Sequence, residues 1–135
     1  GTTAQYIIPE YPAVADFQVV DSLVRAAQLV RNPFHIGTVL STDSYYGRAF
    51  DPEKHNYLES QLVKAGVLAV EMEIGALYIV GGIKRLRTGA VLTVREELTD
   101  QGYIQAGEKF ENGLENSIRI AIKAIENLIE GGVGR

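Results

Sequence analysis

Three short stretches of this 135-residue sequence carry side chains that could do chemistry together. Glu71-Met72-Glu73 sets a thioether between two carboxylates, directly after the apolar run Val67-Leu68-Ala69-Val70. Ser41-Thr42-Asp43-Ser44-Tyr45-Tyr46 leaves another apolar run and ends in two aromatic rings, and Arg95-Glu96-Glu97 leaves a third. Carboxylates at the end of an apolar strand are costly to desolvate unless something polar binds them. The vicinal hydroxyls of a sugar suit them, because a carboxylate can accept two short hydrogen bonds from a diol. A thioether packs against the apolar face of a ribose, and a tyrosine ring offers a platform for a base. Together the residue types describe a nucleoside-shaped pocket. Each stretch also has a purely structural explanation. Glu71 and Glu73 suit the first turn of a following helix, where acids complement its dipole. Met72 suits a core, Tyr45-Tyr46 suits loop packing, and Arg95-Glu96-Glu97 suits a solvated turn. His35, inside an apolar run, is expected to be a satisfied core histidine, and His55 to lie at the surface.

The elements that would position these residues follow from apolar spacing and breakers. Pro9 and Pro12 bracket an extended entry from Gln5 to Tyr11. Phe17, Val20, Leu23, Val24, Ala27 and Val30 recur at helical spacing over Asp16 to Val30, and Asn32-Pro33 ends that helix. His35 to Ser41 has the β-branched, apolar character of a buried strand, and Thr42 to Pro52 is expected to be loop. A helix over Glu53 to Ala65 is stopped by Gly66. Val67 to Val70 is a short strand, and Ile74 to Arg85 is helical, its glycines allowing close packing against a sheet. Gly89 to Val94 is expected to be a third strand, followed by a polar loop to Gly107. The last helix carries Leu114, Ile118, Ala121, Ile122, Ile125 and Ile129 as one stripe facing the core, and Gly131-Gly132 ends it. Alternation of this kind implies an α/β fold with parallel strand neighbours and helices on both faces. Ligands of such sheets bind beyond the carboxyl ends of the strands, where the three stretches fall.

Composition bounds the function classes. Thirteen Lys and Arg against seventeen Asp and Glu give a net charge of −4, which is no footprint for nucleic acid. No apolar run reaches the roughly 20 residues needed to cross a bilayer. The absence of Cys removes disulfides, thiolate nucleophiles and Cys-ligated zinc, and two histidines are too few for most metal sites. Composition leads to the expectation of a soluble, intracellular α/β chain and by itself gives no function. The opening Gly1-Thr2-Thr3-Ala4, with neither initiator Met nor signal region, suggests a chain entered midway.

Val67 to Glu73, followed by Ala76-Leu77-Tyr78, resembles the nucleoside phosphorylase-I family, which includes uridine phosphorylase, bacterial-type purine nucleoside phosphorylase and related nucleosidases. Its signature is an apolar strand ending Glu-Met-Glu. The resemblance extends to Pro12-Ala13-Val14-Ala15-Asp16-Phe17, His35-Ile36-Gly37, Ser41 to Tyr46 and Gly89 to Val94, and so covers Pro9 to Ile129. It implies a three-layer αβα fold with a mixed central sheet, incomplete in this chain. Residues 1–135 would be the C-terminal part of a single domain, without the N-terminal half that carries the phosphate loop. By position, Met72 would pack under the ribose and Glu73 would bind its 2′- and 3′-hydroxyls, with Glu71 lining the sugar side. Tyr45 would stack on the base with Tyr46 beside it. Arg95 and Glu96 occupy the catalytic place beside the base, where the purine enzymes carry Ser-Asp and the uridine enzymes Asn-Arg; this chain matches neither pair. Gly47-Arg48 likewise lacks the Gln of the uridine enzymes' Gly-Gln-x-Arg. The Pro9 to Phe17 segment is nevertheless most similar to the uridine enzymes.

The implied reaction is reversible phosphorolysis of a nucleoside, uridine foremost, with inorganic phosphate as co-substrate and no cofactor. Glu96 would serve as general acid to the leaving base if burial raises its pKa. Purine nucleoside phosphorylase, a nucleosidase using water, and an inactive fragment or binding subunit are the alternatives. A homo-oligomer, hexameric or a dimer-based ring, is expected from the family and from the apolar Tyr6-Ile7-Ile8 segment, which has no evident core position.

Overall fold

A computed structural model describes residues 2–99 and 102–131. After a 3-10 turn at Thr2–Gln5, the elements are α1 (Phe17–Val30), β1 (Val39–Ser41), α2 (Gly47–Phe50), α3 (Pro52–Lys64), β2 (Ala69–Glu71), α4 (Ile74–Ile83), β3 (Glu96–Thr99), β4 (Gly102–Gln105) and α5 (Glu108–Glu130). They divide into two compact units, one built from residues 1–14 and 35–86, the other from 15–34 and 87–135.

In the first unit, β1 and β2 form a parallel pair with Val39 opposite Ala69, Leu40 opposite Val70 and Ser41 opposite Glu71. The chain reaches β2 through α3, whose ends are written locally. The Asp51 carboxylate accepts from the Lys54 N–H at 3.1 Å, Pro52 opens the helix, and Lys64 closes it. Gly66, at φ 75°, then turns the chain: its N–H donates to Val63 and the Val67 N–H donates to Leu62, a Schellman ending. α4 lies against β1. Ile74 and Ile79 of α4 are buried.

The second unit is organised by α1 against α5. Asp16 caps α1 by accepting from the Gln18 and Val19 N–H groups at 2.9 and 3.1 Å. Ala26 and Ala27 meet Ile120 and Ala124, with Leu23, Val30 and Val91 around them. The buried Ser22 hydroxyl donates to the Ala124 carbonyl at 2.8 Å.

Several expectations are corrected. The first strand spans only Val39–Ser41, and His35 is exposed rather than in a core, because among the described residues no strand pairs with the residues beside it. The Gln5–Tyr11 entry is turned, not extended, and Thr42–Pro52 contains the one-turn helix α2. Gly89–Val94 forms no ladder among the described residues, although its alternation is real. An added Cβ at Gly89 would collide with Val19, Val91 joins the α1–α5 core, and the Thr93 and Ser117 hydroxyls lie 2.6 Å apart. The expected polar loop to Gly107 instead holds the antiparallel pair β3–β4, Glu96 opposite Gln105. The two ladders are separate two-stranded sheets, not one mixed sheet. Most tellingly, α5 buries Ile120 and Ala124, while Leu114, Ile118, Ile122, Ile125 and Ile129 stay 43–74% exposed. The helix has two adjacent apolar faces, and the narrower one, with smaller residues, is the one that admits α1 closely. Gly132 lies outside the described residues.

Candidate functional site

β1 and β2 run out at the same end of their ladder, and the Thr42 N–H donates to the Glu71 carbonyl at 2.9 Å, so the two emerging loops start side by side. One Glu71 carboxylate oxygen accepts from the Glu73 and Ile74 N–H groups, each at 2.6 Å. The other accepts the Ser41 hydroxyl, whose own oxygen accepts from the Gly75 N–H at 2.7 Å. The dipole-complementing explanation therefore describes Glu71. Gly75 is what permits the approach: a Cβ there would sit 2.8 Å from Ser41 Oγ and 2.9 Å from its Cβ.

Glu73 is different. It holds the N-cap position of α4 yet makes no side-chain cap hydrogen bond. Its side chain is exposed and, among the described residues, no hydrogen bond or ion pair engages its carboxylate. Met72 beside it is 41% exposed, so it is not core filler. Tyr45 and Tyr46 are 66% and 69% exposed and meet edge to face with centroids 5.1 Å apart, which excludes packing into a core. Behind them, the His55 ring lies over Gly47, where an added Cβ would meet Nε2 at 2.5 Å. Arg48 is held on α3, donating to Glu59 at 3.2 Å and to Asn56 at 2.9 Å. One turn into α4, Tyr78 is half-buried, and its phenol is pushed above the ordinary range, first by burial and second by the Glu71 charge.

Arg95 and Glu96 belong to the second unit. Glu96 opens β3, half-buried, and accepts from the Gln105 amide across the ladder at 2.7 Å. Arg95 is exposed, its carbonyl accepts from the Ala106 N–H at 2.9 Å, and it lines a groove with Phe110 and Glu111 at the start of α5. Glu97 is exposed. The first unit thus brings Tyr45, Tyr46, Glu71, Met72 and Glu73 onto the two loops leaving one strand pair, and the second unit carries Arg95 and Glu96. The sequence gives Ser41, within its Ser41–Tyr46 stretch, no role of its own, and it does not point to Gln105. Ser41 was detectable only as the residue opposite Glu71, which needs the strand register. Among the described residues, no group of three or more His, Asp or Glu side chains is arranged to hold a metal, and no helix is long and apolar enough to cross a membrane.

The phosphorylase superfamily model matches residues 1–130. The chain belongs to the phosphorylase superfamily. It is 35% identical to a uridine phosphorylase of Treponema pallidum (strain Nichols) over 135 residues, 96% of this chain and 52% of that protein. It is 38% identical to a uridine phosphorylase of Thermococcus kodakarensis, over 81% of this chain and 42% of the relative. A guanosine phosphorylase of Halorubrum lacusprofundi is 32% identical over 95% of this chain and 53% of its own length. The chain therefore spans about half the length of the curated relatives it matches.

Proposed function

We propose that this superfamily member takes part in reversible phosphorolysis of a nucleoside and supplies the side of the site that holds sugar and base. The observation that carries this is the Glu71-Met72-Glu73 turn, which leaves the Glu73 carboxylate without a partner among the described residues, beside an exposed thioether. Glu73 accepts from the 2′- and 3′-hydroxyls, Met72 lies under the ribose, and Tyr45 stacks on the base with Tyr46 against its edge. Phosphate oxygen bonds to C1′ as the C1′–N bond breaks, and the bond's electron pair leaves with the base. The sugar gains positive charge in that transition state, and a nearby carboxylate stabilises it. Arg95 and Glu96 attend the departing base, Glu96 as general acid. Uridine is the substrate favoured by the names of the two uridine phosphorylases and by the Pro9 to Phe17 segment; the guanosine phosphorylase supports a purine instead. Inorganic phosphate is the co-substrate and no cofactor is required. The strands described here would belong to the sheet of a three-layer αβα domain, in a cytoplasmic homo-oligomer.

The test is base release by the gene product as encoded, with uridine, inosine and guanosine, in the presence and absence of phosphate. Phosphate-dependent release with formation of ribose 1-phosphate is expected. Release without phosphate would replace the phosphorylase with a nucleosidase, and no release from any riboside would reject the proposal.

A further inference from the structure

We propose that Ser41 and Glu71 are positioning residues, which together hold the turn after β2 so that Glu73, and not Glu71, presents its carboxylate to the ligand. The inference rests on the nucleoside site proposed above and names what holds its binding acid in place. A helix leaves its first backbone N–H groups without partners, and the N-cap side chain ordinarily satisfies one of them. In α4 the N-cap residue is Glu73, and its side chain makes no such bond. The duty has passed to Glu71, two residues earlier, which accepts from both the Glu73 and Ile74 N–H groups at 2.6 Å. Ser41 completes the clasp: it donates to the other Glu71 oxygen and accepts from the Gly75 N–H at 2.7 Å. Three consecutive amides of the helix start are thereby satisfied by two side chains that face each other across the parallel ladder. Ladder pairing fixes where Ser41 and Glu71 stand, and Gly75, lacking a Cβ, lets the helix come down onto them. The outcome is a division of labour: one carboxylate is consumed by the backbone so that its neighbour is not.

Glu71→Gln and Glu71→Ala separate positioning from direct binding. In Glu71→Gln the amide oxygen can still accept both N–H groups while its NH2 donates to Ser41, so the clasp survives without its charge. Glu71→Ala and Ser41→Ala each remove it. In the protein as its gene encodes it, nucleoside kcat/KM should fall about tenfold or more further in Glu71→Ala than in Glu71→Gln. On a Glu73→Gln background, Glu71→Ala should add little, because its effect runs through Glu73. Hydrogen exchange gives a readout independent of turnover: the Glu73, Ile74 and Gly75 amides should be protected in wild type and Glu71→Gln and exchange at least about tenfold faster in Glu71→Ala. If Glu71→Gln is as damaging as Glu71→Ala while those amides stay protected, Glu71 touches the substrate and the inference is wrong. Equal protection in all variants would show that the clasp does not hold the turn. Absence of nucleoside turnover in wild type would overturn the functional proposal itself, with the exchange pattern still reporting on the clasp, so the two failures are told apart.

Discussion

Glu73 sits at the start of α4 without capping it, and a carboxylate with no partner among the described residues contributes little to the fold. Glu73→Gln should therefore leave the thermal midpoint almost unchanged. It should weaken diol binding by roughly 1.5–3 kcal/mol, the worth of a hydrogen bond to a charged group. Equal activity of wild type and variant on ribosides would reject the ribose assignment. Tyr78 offers a second measurement. Its phenol is raised above 10.0 by burial first and the Glu71 charge second. A raised value means the folded state prefers the protonated form. The associated stability is complete below the ordinary tyrosine range and is lost as pH rises through the folded value. An absorbance titration should show one phenol ionising late, and Glu71→Gln should bring it only part of the way back, since burial is the larger cause. Residue type alone displays Glu71 and Glu73 as equals, and only the family resemblance assigned the diol to Glu73. What distinguishes them is Ser41, thirty residues away along the chain, and a hydrogen bond of that range leaves no local mark.

At the scale of elements, whatever was encoded within a few residues was legible. The apolar spacing from Asp16 to Val30 and the Gly66 stop place α1 and α3 to within a residue, because each signal acts on its own backbone. The Asp16 cap and the helix start at Pro52, which the sequence reads as loop, came from the structure. Strands were less legible, since pairing is not written in one segment alone: among the described residues Gly89–Val94 pairs with no strand, while β3–β4 formed where polar residues suggested loop. The apolar stripe of α5 was visible, but the choice between its two faces was made by Ala26 and Ala27 of α1. Gly75 puts local preference and packing in direct conflict. Helix propensity alone favours alanine there by about 1 kcal/mol. The contacts at 2.8 and 2.9 Å to Ser41 make the replacement crowd the clasp, and overpacking of that kind costs about 1–3 kcal/mol. Gly75→Ala should thus destabilise on balance, measurable by urea denaturation, and a stabilised variant would show that Ser41 yields. Gly66→Ala meets nothing within 4 Å, so its cost, about 1–2 kcal/mol, should be that of the left-handed backbone alone.

For the molecule as a whole, the buried apolar side chains among the described residues are Ala26, Ala27, Ile74, Ile79, Ile120 and Ala124. Against them stand Leu114, Ile118, Ile122, Ile125 and Ile129 of α5 and the outward Leu92 and Val94, all substantially exposed. Complete domains keep only about 5–15 kcal/mol of net stability. Each large apolar side chain left in water forgoes roughly 1.5–3 kcal/mol, so several of them consume that margin. Residues 1–135 expressed alone should be poorly soluble or partly molten, bind a hydrophobic dye and release no base. Supplying the remaining half of the length its relatives have, in cis or in trans, should restore a cooperative melt and activity. A monodisperse 135-residue chain with a sharp melt and phosphate-dependent base release would refute this.

The two units also interleave along the chain, and that has a bearing on synthesis. Ser22 donates to the carbonyl of Ala124, a partner 102 positions downstream, and residues 35–86 of the other unit are translated between the two stretches that meet. A ribosome adding roughly 5–20 residues per second leaves α1 waiting on the order of ten seconds for α5. Through that interval the Ala26–Ala27 face is presented to whatever the nascent chain encounters. The β1–β2 pair, whose partners are thirty residues apart, can close long before. Nascent-chain protection should accordingly arise first at the Glu71 turn, while a ribosome-bound chaperone has its longest window on α1.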